Sequence, residues 1–143
     1  MVIAAAVPAI RDLVSADVAA LVALGDVLGA GEPAEAWRRR LRDRAILAIG
    51  AEQDGRIVGY AAGTVRTSFG LETAGWIEAF GVANAWRGRG LGRALASELL
   101  ARFRAHGARH AYTIVPVHDL ALQPFFRDLG FREEPVVPLG RTL

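Results

Sequence analysis

A strand, a glycine-rich turn and a long helix follow one another between Gly75 and Arg104, and this succession constrains the fold more than any other stretch. Residues 75–82 contain few helix formers besides alanine and are bounded by glycine and asparagine, which predicts a buried strand. After the turn, apolar residues recur at every fourth position, which predicts an amphipathic helix packed against a sheet. The recurring residues are Leu91, Leu95, Leu99 and Phe103.

The turn between the strand and the helix has the composition of an anion-binding site. Glycines at 88, 90 and 92 let the backbone approach a ligand closely and expose its N–H groups, just where the helix presents its unpaired first amides. A helix N-terminus carries about half a positive charge, so a phosphate or pyrophosphate is favoured there. Neighbouring arginines can add charge-assisted hydrogen bonds. The alternative is a glycine-rich turn with solvated arginines.

Two common phosphate-binding motifs are excluded by residue type. A dinucleotide fingerprint, G-x-G-x-x-G, would require glycine where the chain has Arg93, and no suitable acidic residue follows on a second strand. A Walker A loop requires lysine, and the chain contains none. The remaining pattern is R-x-x-G-x-G, formed by Arg87, Gly90 and Gly92 between the strand and the helix.

This pattern in this setting resembles the acyl-CoA-binding motif of the GNAT superfamily of acyl-CoA-dependent N-acyltransferases. The segment 125–131, Phe-Phe-Arg-Asp-Leu-Gly-Phe, is similar to that family's closing aromatic-x-x-x-Gly-Phe motif. The resemblance covers nearly the whole chain and implies an α/β (α+β) GNAT-like fold. Its features are a central mixed, mostly antiparallel sheet and about four flanking helices.

The rest of the chain is consistent with that order of elements. Before the central strand, the patterns predict a strand at 10–13, a helix from Ser15 or Asp17 to Leu24, a helix at 33–44, and a hairpin of strands 45–53 and 56–66 joined by Asp54-Gly55. After the central helix they predict a strand at 109–115, a helix over 118–129 that begins near Leu122 or kinks at Pro124, and an edge strand at 136–143.

The resemblance implies an N-acetyltransferase whose co-substrate is acetyl-CoA. A primary amine attacks the thioester directly in a ternary complex, so no covalent enzyme intermediate is needed. Backbone amides at Phe80, Gly81 and Val82 would bind the pantetheine arm. The pyrophosphate would lie on the amides of Gly88, Arg89, Gly90, Leu91, Gly92 and Arg93, with help from the Arg87 and Arg89 side chains. Asp119 stands where the family often has asparagine.

The candidate catalytic residues follow the family's pattern only in part. Alternation along the central strand places Trp76, Glu78, Phe80 and Val82 on one face in the sheet interior, and Glu78 is the only ionisable residue among them. It is the candidate base; the alternative is a carboxylate that orders the acceptor loop or pairs with an arginine. Phe126 stands where the family often has a tyrosine acid. Tyr112 and His118 could replace that acid; alternatively, they are a core residue and a surface residue.

Composition bounds the remaining possibilities. The 143 residues predict a single domain, 1–143, and 52% hydrophobic with 22% charged residues is globular composition. The apolar start, residues 1–10, is a poor signal peptide, which makes the cytoplasm the default location, and no membrane association is expected. Without cysteine, and with three scattered histidines, no metal site is expected.

Rival functions remain open. One is a non-catalytic acyl-CoA sensor that lost its acid at Phe126. Another is a nucleic-acid binder using the arginines at 38–44, although that run has no interleaved aromatic residues and the net charge is only +2. The resemblance implies an amine acceptor, the composition favours no nucleic-acid partner, and homodimer formation is left open. The acceptor itself would be shaped by the segments 28–33 and 67–73 and by the last strands.

Overall fold

The computed structural model describes residues 7–29 and 31–143. The elements in this part of the chain are β1 (Ala9–Asp12), α1 (Val18–Leu28), α2 (Ala34–Arg42), β2 (Ile46–Gln53), β3 (Arg56–Arg66), β4 (Ala74–Val82), α3 (Leu91–Ala105), β5 (His110–Thr113) and α4 (Leu122–Asp128), with short 3-10 helices at Ser15–Asp17 and Asn84–Trp86. No helix among the described residues has the length and hydropathy that crossing a membrane requires.

The five strands form one sheet in the order β1-β2-β3-β4-β5. The first three pairs are antiparallel and the last, β4 with β5, is parallel. The predicted hairpin is confirmed, with Asp54 and Gly55 at φ of 52° and 75°, as a two-residue type I′ turn requires. The mixed, mostly antiparallel sheet with four helices confirms the predicted fold class.

Helices cover both faces of this sheet. The predicted apolar stripe of α3 is buried against one face, where Leu95 and Leu99 join the main core. Phe103 packs directly on the backbones of Gly63 and Gly75, since a side chain at either glycine would occupy the space of its ring. On the other face, Leu21 of α1 and Trp37 of α2 form a second core with Leu13, Val18 and Tyr60.

The C-terminal segment differs from the prediction. The edge strand predicted at 136–143 is wrong: these residues form no regular element. Pro135 and Pro138 each lack an N–H for a ladder, and Val137 and Leu139 are exposed. The helix predicted over 118–129 begins at Leu122, which places Pro124 in its first turn. Residues 1–6 of the apolar start lie outside the described residues.

Candidate active site

The turn before α3 has the geometry predicted for an anion-binding loop. Gly88 and Gly90 have φ of 72° and 82°, a region that disfavours residues with a Cβ atom. No atom lies within 4 Å of the position a Cβ would take at either glycine, so the space beside the loop is open. The left-handed Gly90 is also the N-cap of α3.

The amides of this turn are available to a ligand. Ala94 donates to the Gly90 carbonyl at 3.0 Å, which is the first hydrogen bond of α3. Among the residues the structure describes, the amides from Gly88 to Arg93 have no acceptor outside the helix. Six consecutive amides at a helix N-terminus fit a pyrophosphate, whose oxygens can only accept hydrogen bonds.

The arginines around the turn differ in how firmly they are held. Arg87 donates from Nε to the Val82 carbonyl at 3.4 Å, so it links the turn to the end of β4. The Arg89 guanidinium lies 5.1 Å from the centre of the Trp86 ring, while Arg93 donates to the Asp128 carbonyl at 3.5 Å. All three are exposed. They can therefore reorient toward a bound phosphate at little cost.

Beside this turn, β4 has a free outer edge. The parallel pairing with β5 extends only from Ala74–His110 to Ile77–Thr113. Beyond it, residues 78–82 have no strand neighbour on that side within the described chain. An extended ligand can add to such an edge as a strand does, which fits the pantetheine arm predicted at Phe80, Gly81 and Val82.

Three aromatic rings connect this edge to the turn. The Phe80 ring centre lies 5.0 Å from that of Phe125 and 5.8 Å from that of Phe126 on α4. A Cβ at Gly92 would come within 3.1 Å of Phe125 and 3.6 Å of Phe80, so the first turn of α3 rests on the same rings. The strand edge, the turn and α4 therefore form one packed unit.

Glu78 does not lie where simple alternation places it. Ala62 pairs with Ala79 and Gly63 with Ile77, so Glu78 is the extra residue of a β-bulge. The bulge shifts the alternation, and the predicted common face is wrong: Trp76 lies on the face opposite Phe80 and Val82. The prediction of an interior position is also wrong, since 32% of the Glu78 side chain is exposed.

The Glu78 carboxylate is held through one of its two oxygens. Oε1 accepts a hydrogen bond from the Thr64 hydroxyl at 2.9 Å and lies 3.7 Å from Nη1 of Arg66. Oε2 has no partner in the described residues. The predicted alternative, pairing with an arginine, therefore exists as the 3.7 Å contact with Arg66. The second oxygen can still accept a proton or a hydrogen bond.

Glu78 and Phe80 face a cavity of about 170 Å³ between β4, the end of β5 and α4. The other residues that line it are Glu32, Tyr60, Ile77, Ala79, Thr113, Ile114, Val115, Leu122 and Phe126. Glu32 already forms an ion pair with Arg40, in which Nη2 of Arg40 donates to Oε1 of Glu32 at 3.1 Å. The cavity thus has an apolar wall beside the strand edge predicted to bind the pantetheine arm, and a polar wall formed by Glu32 and Glu78.

The other predicted site residues lie at the margin of this cavity or outside it. Tyr112 stacks on Trp76, with ring centres 4.7 Å apart, and its ring centre lies 4.6 Å from that of His110. It lines a larger cavity of about 1160 Å³ between β5, α3 and the C-terminal segment. Asp119 caps the start of α4, accepting from the Leu122 amide at 2.9 Å. His118 is exposed.

Sequence reasoning missed Tyr60 of β3. It pairs with Gly81 of β4, is 4% exposed, and packs edge-on against Trp37. Burial, and secondarily the charge of Glu32, raise the pKa of its phenol above the usual 10.0. No motif in the sequence points to this residue, because its place in the site depends on the pairing of β3 with β4.

Comparisons with known proteins agree with this geometry. Residues 20–131 match the model of the acetyltransferase (GNAT) family. An aminoglycoside N(6′)-acetyltransferase type 1 from Stenotrophomonas maltophilia is 32% identical over 136 residues, covering 90% of this chain and 89% of the relative.

Solved structures give the same fold. An acetyltransferase from Trypanosoma brucei is 27% identical and superposes with a TM-score of 0.74 over 93% of this chain and 99% of its own. The aminoglycoside N-acetyltransferase AAC(6′)-Iy, solved in complex with CoA, is 20% identical with a TM-score of 0.78, over 94% and 99% of the two chains. The chain therefore belongs to the GNAT family of acetyltransferases and is an N-acetyltransferase that uses acetyl-CoA.

Proposed function

We propose that this enzyme transfers the acetyl group of acetyl-CoA directly to a primary amine of an aminoglycoside-type amino sugar, with Glu78 as the base. The observation that carries the proposal is the position of Glu78, on the bulge of β4 between the free strand edge and the 170 Å³ cavity. The relative from Stenotrophomonas maltophilia, named as an aminoglycoside N(6′)-acetyltransferase, supports the choice of acceptor class.

Direct transfer is favoured because the cavity holds no activated nucleophile. The chain has no cysteine. The hydroxyls that line the cavity belong to Tyr60 and Thr113, and Thr113 already donates to the Ile77 carbonyl at 3.3 Å. A serine- or threonine-type nucleophile needs an adjacent base, and neither hydroxyl bonds to one in the described residues. The acetyl group is therefore expected to pass to the amine in one attack.

Glu78 fits the two tasks that an amine acceptor sets. An alkyl amine is a cation at neutral pH, with a pKa of about 10 if it is lysine-like, and must lose a proton before it can attack. The free Oε2 of Glu78 can attract the ammonium group and take that proton, directly or through a water. Thr64 and Arg66 hold Oε1 and so fix the orientation of the carboxylate.

The acetyl donor is placed by the features beside Glu78. The pyrophosphate would lie on the amides of residues 88–93, with Arg87 and Arg89 on either side. The pantetheine arm would follow β4 from Val82 toward Phe80, and the thioester would then reach the cavity. Phe126 closes the apolar wall there, and Asp119 acts on the site by fixing the start of α4.

The test is acetyl-CoA-dependent release of free thiol, which is clean here because the enzyme has no thiol of its own. Neomycin and paromomycin form a matched pair, since they differ only by an amine or a hydroxyl at the 6′ carbon. The proposal expects turnover of neomycin and a much lower rate with paromomycin. Turnover of spermidine or of an N-terminal peptide, with none of neomycin, would overturn the acceptor class. Cofactor binding without turnover of any amine would support a sensor instead.

A further inference from the structure

The hydroxyl of Tyr60 is a buried polar group that the mechanism above does not use. The residue is only 4% exposed. Every fully buried side-chain polar atom among the described residues has a hydrogen-bond partner. Because the Tyr60 hydroxyl has none, its oxygen must be partly accessible. Within that part of the chain the hydroxyl has no hydrogen-bond partner. Tyr60 lines the 170 Å³ cavity, and its hydroxyl is the polar group that the ring can present there.

Because Gly81 has no side chain, the Tyr60 hydroxyl has room to lie over β4, the strand that would bind the pantetheine arm. A Cβ at Gly81 would come within 2.8 Å of both Cζ and Oη of Tyr60. The phenol therefore lies across the backbone of β4 between Phe80 and Val82, in space that glycine leaves open. The proposed pantetheine arm follows this part of β4 into the cavity that Tyr60 lines, which brings the thioester within reach of the hydroxyl.

We propose that the Tyr60 hydroxyl donates a hydrogen bond to the sulfur of the departing coenzyme A thiolate, the role that Phe126 cannot fill. The proposal rests on the proposed function. As the amine nitrogen bonds to the acetyl carbon, the C–S bond breaks and its electron pair goes to sulfur. The proton lost by the nitrogen goes to Glu78, and the thiolate takes its own proton from water after it leaves.

Hydrogen bonding, rather than proton transfer, matches the properties of this phenol. A thiol has an ordinary pKa of about 8.5 and a tyrosine one of about 10, so proton transfer from a tyrosine to a thiolate is unfavourable in free energy. The raised pKa of Tyr60 keeps the phenol protonated and able to donate throughout the physiological range. Burial of the Tyr60 ring, which is the main cause of the raised pKa, also strengthens a hydrogen bond to an anion.

The test compares two ligands that differ by one atom. Coenzyme A and desulfo-coenzyme A are titrated calorimetrically at pH 10, well above the ordinary cysteine thiol pKa of about 8.5, so that the thiolate is well populated. The quantity of interest is the ratio of the desulfo-coenzyme A Kd to the coenzyme A Kd. Tyr60→Phe is expected to lower this ratio about 10- to 100-fold, the range for a hydrogen bond to a charged group, and to lower kcat similarly. A general loosening of the site would weaken both ligands and leave the ratio unchanged.

Two further variants complete the test. Tyr60→Phe keeps the ring and removes a hydroxyl without a partner in the described chain, so it should melt like the wild type. If it does not fold, Gly81→Ala, whose methyl group would push the phenol aside, should lower the same ratio. An unchanged ratio in the folded variant, or a fall in Tyr112→Phe instead, would overturn the proposal. Failure to acetylate any amine would overturn the proposed function but leave this ratio measurable.

Discussion

Glu78 and Thr64 are joined across the β3–β4 ladder by a 2.9 Å hydrogen bond in which the threonine hydroxyl donates to Oε1. Thr64 pairs with Trp76, whereas Glu78 is the extra residue of the bulge and has no pair. The bond therefore fixes a side chain that the ladder itself does not hold. It leaves Oε2 of Glu78 as the oxygen that can act on an acceptor.

Glu78→Gln should lower kcat by about 10²- to 10⁴-fold, the usual contribution of a general base, and leave coenzyme A affinity unchanged. The amide keeps the shape and can accept from Thr64, but it cannot take a proton at neutral pH. The measurements are steady-state thiol release and calorimetric titration. Glu35→Gln, which changes an exposed residue of α2 paired with Arg38 and Arg42, is the matched control. A Glu78→Gln enzyme as fast as this control would exclude a base role.

Gly90→Ala should weaken coenzyme A binding and lower the free energy of unfolding by about 1–2 kcal/mol, because alanine is strained at a φ of 82°. No neighbouring atom would be touched, so the effect isolates the backbone conformation. Gly90→Asn should lose less, since asparagine tolerates the left-handed region better. Gly140→Ala is the control, at a glycine with neither positive φ nor close neighbours. Equal affinities in all three variants would contradict the role of the turn.

The sequence predicted those parts of the molecule that depend on local pattern. The stripe of α3, the Asp54-Gly55 hairpin and the open turn at Gly88 and Gly90 each follow from residues close together in the chain. Such features need no knowledge of a partner strand. This is why the fold class and the open glycine turn before α3 were predicted correctly.

The remaining features depend on pairing between distant strands. The bulge at Glu78 arises from the register of β4 against β3, and no residue type in the sequence indicates it. The period-2 prediction was therefore wrong for Trp76. Tyr60 was missed for the same reason, since its place over Gly81 is set by that register. The segment 136–143, predicted as a strand, has β-forming valines, but it pairs with no strand among residues 7–29 and 31–143.

Asp17 should make stability depend on pH. Both its carboxylate oxygens accept from Arg11 at 2.9 Å, and this hydrogen bonding holds its pKa below the ordinary 3.8. The folded state thus favours the charged form, and the resulting stabilisation is present above about pH 4 and lost as the pH falls through the folded value. Asp17→Asn should lower the free energy of unfolding by about 2 kcal/mol at pH 7.

The measurement is urea unfolding at pH 7 and near pH 2.5. The gap between the wild type and Asp17→Asn should narrow at the lower pH, because the wild-type carboxylate then becomes protonated too. Asp54→Asn, in the exposed hairpin turn, should show no comparable gap at either pH, since asparagine suits that turn. A gap that stayed constant with pH would mean that Asp17 acts through packing rather than charge.

Phe126→Tyr should restore activity to the Tyr60→Phe enzyme. Phe126 is 4% exposed and lines both the small cavity and the larger one, so a hydroxyl on its ring is expected to reach the thioester from α4 rather than from β3. Because both hydroxyls would act on one sulfur, their effects should not add: we expect recovery of about 10-fold in kcat in the double variant and under about 3-fold gain in the wild-type background.

Phe131→Tyr is the matched control, since Phe131 packs on Phe126 at 5.2 Å but lines the larger cavity. Equal gains in the two backgrounds would show that the two positions act independently, and recovery by Phe131→Tyr would show that any added hydroxyl suffices.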